Sequence, residues 1–246
     1  MKKILIAITT FIINLKTSGQ TKLFEIHETF LEDSSQQKVV SVFKKQDSCF
    51  FQDENYVVRK TCSGEWGGTV WFKDKKTGVE YSCQATCPVA VYKLNGKYFV
   101  TNTLGHMIGF SDVIEIEKPQ KLDIFKFPKP RQKKGNLVIR AVGDDESQST
   151  KGTKKLVDTT GIMTIGAFPF TGQLYYIITN FEKTFLAKIE NKKFVIIDTV
   201  SNESLWTYRP EVIKTVDSHY IVFFDNDKAK GHLDISNNKI DLIRFR

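Results

Sequence analysis

The residues best suited to chemistry crowd into Cys62-Ser-Gly-Glu65-Trp66-Gly-Gly-Thr-Val-Trp71. Three glycines allow a tight loop with positive backbone angles. Glu65 and Trp66 would then stand at a loop tip, where a ring beside a carboxylate can grip a sugar or a peptide. The competing role for Trp66 is to plug the end of the fold as a core residue, and Trp71, inside a β-type run, reads as core. Leu205-Trp206-Thr-Tyr208-Arg209 makes a second cluster of two aromatic rings and a guanidinium. His106, in Leu104-Gly-His-Met-Ile-Gly109, follows a loop glycine. Glu65, Trp66, His106, Trp206, Tyr208 and Arg209 are therefore the candidate ligand-binding residues.

Other chemistries find less to work with. His27, His106, His219 and His232 are far apart, and no pair has metal-ligand spacing. Asp225-Asn-Asp227 lacks the spacing of a calcium loop. There is no nucleophile elbow of the G-x-S-x-G type. No catalytic residue, metal or cofactor is expected. Cys83-x-x-x-Cys87 could open a zinc site, but no second tight Cys/His pair follows it.

The N-terminus carries an address. Lys2 and Lys3 precede an apolar run from Ile4 to Ile13, and Thr17-Ser18-Gly19 supplies small residues for cleavage. That order is a secretory signal peptide over residues 1–19, with Gln20 opening a single domain over 20–246. The apolar run is too short to span a membrane. Export implies the periplasm or the exterior, and the four cysteines (Cys49, Cys62, Cys83 and Cys87) then favour disulfides. Without Lys2, Lys3 and Lys16 the net charge drops from +8 to +5, too mild and too scattered for nucleic-acid binding. The one basic cluster, Lys126 to Lys134, contains two prolines and reads as a solvated turn.

The elements that must position these residues are strands. At 41% hydrophobic residues the 246-residue chain can offset its conformational entropy in one or two cores. A turn followed by an aromatic or Leu and then β-formers recurs at Tyr56, Tyr98, Leu137, Tyr176 and Tyr220. Each is a generic hairpin signal, but the intervals of about 40 residues match one four-stranded unit. Third-to-fourth-strand turns are expected at Asp74–Gly78, Gly109–Asp112, Thr159–Gly161, Glu190–Lys193 and Ser236–Lys239. Innermost strands are expected at Cys49–Phe51, Val89–Leu94, Leu122–Phe127, Gly166–Phe170 and Val212–Val216. Leu23–Phe30 and Val39–Phe43 look like two further strands, one of which could pair with the last unit. Gly143 to Lys155 is polar and Ser/Thr-rich and reads as a mobile loop.

This pattern resembles an all-β, five-bladed β-propeller of four-stranded blades. The alternative is a large β-sandwich or two stacked β domains. The propeller sends the anchor turns to one end and the longer loops to the other, with all six candidate residues on the loop end. It also brings Cys62, Cys83 and Cys87 toward that end, so a disulfide among them is expected, Cys62–Cys87 ahead of Cys83–Cys87. Five-bladed glycosidases carry carboxylates on their innermost strands; here only Asp123 and Glu211 lie in or beside the expected ones. The sequence therefore reads as an exported, monomeric, non-enzymatic module presenting its loop face to a glycan, peptide or protein. A propeller glycoside hydrolase or lyase with a funnel site is the alternative.

Overall fold

The computed structural model describes residues 22–32, 43 and 50–246, apart from 107, 127, 128, 130, 131 and 136. The signal peptide, Cys49 and the expected strand at Val39–Phe43, Phe43 excepted, lie outside the described residues. The chain is all-β. Strand β1 (Glu25–Leu31) comes first. The first sheet holds β2 (Phe51–Gln52), β3 (Tyr56–Lys60), β4 (Thr69–Asp74) and β5 (Glu80–Gln84). The second follows with β6 (Pro88–Leu94), β7 (Lys97–Leu104) and β8 (Phe110–Ile116).

The chain then leaves the second sheet. It adds β9 (Asp123–Ile124) to the outer edge of the first sheet, beside β5. It next forms a two-stranded ribbon from β10 (Gln132–Lys134) and β11 (Leu137–Ile139). It returns as β12 (Thr153–Thr160), which pairs with β8 as the second sheet's fourth strand. The third sheet is continuous: β13 (Met163–Phe170), β14 (Gln173–Thr179), β15 (Thr184–Glu190) and β16 (Lys193–Ser201). The fourth contains β17 (Val212–Lys214), β18 (Tyr220–Asp225), β19 (Lys230–Ser236) and β20 (Lys239–Phe245). β1 lies parallel on β20 as its fifth strand, as the Leu23–Phe30 expectation allowed.

In the second and third sheets the first strand is far more buried than the fourth. The first strands β6 and β13 contain no exposed residue, whereas β12 and β16 hold only three buried ones between them and β1 is mostly exposed. Strands covered on both faces need continuous rather than alternating apolar residues, and Pro88-Val-Ala-Val has them. Three cores fill the spaces between successive sheets. Tyr56, Phe72, Tyr98 and Ile116 lie between the first and second. Val113, Ala167, Tyr176 and Ile178 lie between the second and third. Phe24, Phe168, Ile177, Phe224 and Leu233 lie between the third and fourth. Gly166 permits that last approach, since a Cβ there would sit 2.7 Å from the Val222 side chain.

Several sequence expectations need correction. The described residues hold four sheets of four or five strands and one short ribbon, so the count of five four-stranded units is not reached. Tyr56, Tyr98, Tyr176 and Tyr220 do lie on the second strands of the four sheets. Leu137 lies in the two-stranded ribbon and is exposed, because among the described residues no other sheet packs its core against the ribbon. Rungs differ too: Tyr98 stands opposite Lys93, second from its turn, while Tyr176 stands opposite Ala167, fourth from its turn. Gly109 to Asp112 leads into the third strand of its sheet, and Thr159–Gly161 joins the second sheet to the third. Leu122–Phe127 supplies an outer strand, not an inner one.

The polar stretch at 143–155 is anchored rather than mobile. Asp144, Glu146 and Ser147 are buried, and Ser149 and Lys151 hold the carboxylate of Asp123 at 2.7 and 2.9 Å.

Candidate functional site

The long loops of the four sheets share one end of the molecule, and the first is the most firmly held. Its 61–68 loop is tied at Cys62 to Cys87, where the chain enters the second sheet. Cys83, the other candidate for a bridge, is a free thiol in the core. The Glu146 carboxylate enters beneath the loop, where it accepts hydrogen bonds from the hydroxyls of Thr61, Ser63 (2.6 Å) and Thr69 (2.6 Å). A buried carboxylate needs such donors. Sequence spacing gave no sign of this contact, since Glu146 sits in a run that looks solvated.

On this base, a single 3₁₀ turn at Gly64–Trp66 carries Glu65 and Trp66 outward. Trp66 is 60% exposed, so it is not a core plug. Its backbone is packed by Gly143, whose positive φ and missing Cβ let the returning chain pass: a Cβ there would lie 3.0 Å from the Trp66 carbonyl. Glu65 Oε1 reaches His106 Nδ1 at 2.6 Å, joining the long loops of the first and second sheets. The Glu65–His106 pair involves no hydroxyl or thiol among the described residues.

The connection between the third and fourth sheets supplies the rest. Asn226 Nδ2 donates to the carbonyls of Ser204 (3.1 Å) and Trp206 (3.3 Å), and Leu205 N–H donates to Thr184 Oγ1 at 2.8 Å. Trp206, half-buried, meets Phe181 at 6.0 Å and Tyr208 at 4.9 Å between ring centroids. Tyr208 is 72% exposed, and its backbone runs close to Gly105, next to His106. Glu65, Trp66 and His106 thus form one group, Trp206 and Tyr208 another, and the Gly105–Tyr208 approach connects them. Arg209 is exposed and pairs with no acid among the described residues. Ile108 and Val142, exposed beside these loops, were not singled out by sequence.

A second feature lies where the first strands of the four sheets meet. β2, β6, β13 and β17 line a cavity of about 540 Å³ that includes Phe51, Asp53, Tyr92, Lys93, Pro169 and Tyr220. Asp53 is its one carboxylate among the described residues. It accepts from the Asn55 and Tyr56 amides, from Lys93 at 2.8 Å and from the Tyr98 hydroxyl at 2.6 Å. Burial works against its ionisation, but these four donors outweigh burial and hold the carboxyl at about 2. Tyr92 donates to the Ala167 carbonyl at 2.6 Å. A wider cleft of about 790 Å³ opens beside the third and fourth sheets. Its Arg244 is committed to Glu28, Glu203 and Ser201.

Among the described residues no cluster of three His, Cys, Asp or Glu could hold a metal, and no helix is long and apolar enough to cross a membrane. No family model, curated protein or solved structure matches this chain.

Proposed function

We propose that this chain is an exported, non-enzymatic interaction module. In this reading its sheets are arranged radially, as propeller blades, and its long-loop end meets a glycan, peptide or protein. The observation that carries the proposal is the pairing of exposed Trp66 and Tyr208 with loops that are themselves pinned, by a disulfide, by Glu146 and by Asn226. Exposed aromatic rings on a rigid base lose little entropy when they bind, and Arg209 and the Glu65–His106 pair add polar contacts beside them. Three inter-sheet cores and one cavity shared by four first strands support the radial arrangement. It would hold four blades, with the 117–152 excursion occupying the stretch that the spacing assigned to another.

Export is supported by the N-terminal pattern and by the Cys62–Cys87 bridge, which persists in oxidising compartments. The funnel hydrolase has less support, because Asp53 is the one carboxylate in the cavity wall among the described residues and its acceptor sites are filled. The test is a glycan and peptide array probed with the wild-type chain and with a Trp66→Ala/Tyr208→Ala variant, beside a glycosidase screen. Specific capture that the double substitution abolishes is the expected result. Glycoside cleavage, or capture indifferent to both substitutions, would overturn the reading. Intact-mass measurement on protein from an exporting host should find a chain that begins at Gln20 and is monomeric by light scattering.

A further inference from the structure

The central cavity lies away from the long-loop face, and its charged residues gather at the other end of the strands, beside the short hairpin turns. Its wall is apolar and largely flat-sided: Phe51, Val91, Tyr92, Pro169 and Val212 line it. The Tyr92 and Tyr220 rings meet edge-on at 5.9 Å, so the wall on that side is a fixed aromatic corner. The volume, about 540 Å³, falls in the range of small-molecule sites.

The polar groups in this wall are unequal. Asp53 and Lys93 satisfy each other, and Asp53 has no acceptor capacity left over. Lys214 pairs with no carboxylate among the described residues, although it too lines the cavity. It stands directly opposite Tyr220 in the β17–β18 ladder. Residues opposite each other in an antiparallel pair project from the same face, and Val212, two residues before Lys214, lines the cavity with them. The Tyr220 hydroxyl has no hydrogen-bond partner among the described residues. An ammonium and a phenolic O–H, side by side and both unspent, form a two-donor edge to an aromatic-walled cavity.

We propose that this cavity is a small-molecule site for a monocarboxylate with a flat apolar body, of the arylalkanoic acid class. The ring system would lie against Tyr92, Pro169 and Phe51. Its carboxylate would accept from Lys214 Nζ on one oxygen and from the Tyr220 hydroxyl on the other. One unpaired cation matches one negative charge. The Asp53–Lys93 pair in the same wall is already neutralised and offers no second positive charge to multiply charged anions such as phosphates.

The test is calorimetric titration of the purified chain with indole-3-propionate and 3-phenylpropionate, each compared with its neutral amide. Saturable binding of at least one acid is expected, with the matching amide at least tenfold weaker. Lys214→Gln should weaken the acid at least tenfold and leave the amide unchanged. Tyr220→Phe, which keeps the ring, should weaken the acid several-fold. Lys214 is exposed, so its substitution should leave the melting temperature in place, and Trp66→Ala should bind the acids as wild type does. No saturable heat from either acid, equal affinity for acid and amide, or a Lys214→Gln variant that binds the acid normally would each overturn the proposal.

Discussion

Thr69 and Glu146 are 77 residues apart in sequence, yet the Thr69 hydroxyl donates to the Glu146 carboxylate at 2.6 Å and accepts the next amide, Ser147 N–H, at 2.6 Å. This contact, with those of Thr61 and Ser63, fastens the returning excursion under the loop that carries Trp66. Removing the carboxylate leaves three hydroxyls in a buried site without their acceptor. Glu146→Ala should therefore lower stability by about 2–4 kcal/mol. Amide exchange should accelerate over 141–149 and 61–68 together. Acceleration confined to one of the two segments would mean that they are not coupled through Glu146.

The Cys62–Cys87 bridge closes a loop with a sequence separation of 25. Its reduction should cost about 2–4 kcal/mol and loosen the Glu65–His106 contact. Burial first, and the nearby Asp112 charge second, push the Cys83 thiol up to about 12. Native alkylation at pH 8 should leave Cys83 unmodified, whereas alkylation in denaturant should label it. Peptide mapping by mass spectrometry reads both outcomes.

His232 is buried among Phe223 and Phe245, with Phe43 beside it, and burial pushes its pKa down to about 4 from an ordinary 6.5. The folded state holds the ring neutral while the unfolded state protonates it. The resulting stability is fully present above pH 6.5 and is lost as the pH falls toward 4. The loss should approach about 3 kcal/mol, from the usual 1.4 kcal/mol for each unit of difference. His232→Phe should remove most of this acid sensitivity, as measured by urea melts at pH 7, 5.5 and 4.

Tyr176 and Leu137 fit the same turn-and-anchor pattern in the sequence, but Tyr176 is 2% exposed and Leu137 is 68% exposed. Tyr176→Asp should abolish folding or cost more than about 4 kcal/mol, because it places a charge in the core between the second and third sheets. Leu137→Asp should stay within about 0.5 kcal/mol of wild type. Equal effects in thermal melts would contradict the placement of the ribbon outside the packed cores.

Local chemistry made most of the tight turns, most of the inner strands and the disulfide legible in the sequence. Asn95 and Gly96 both take positive φ between β6 and β7, as a two-residue hairpin requires. Val89–Tyr92 and Gly166–Phe170 are apolar on both faces, so they had to be covered on both. Cys62 and Cys87 lie at the same end of neighbouring sheets once the hairpins are drawn. Five of the six candidate binding residues are also brought into two adjoining groups, since a loop glycine and an aromatic residue are local signals.

Only the tertiary structure decided the number of full sheets and the fate of residues 117–152. Gly135-Asn-Leu-Val-Ile carries the same hairpin signal as the other anchors, and nothing local says that its strands stop at three residues. The pairing of β12 with β8 and of β9 with β5 joins segments about 40 residues apart, and strand periodicity carries no information about which partner a strand will find. The burial of Glu146 depends on three hydroxyls from the first sheet and its 61–68 loop. A carboxylate in a polar run looks solvated until the donors that replace water are in place.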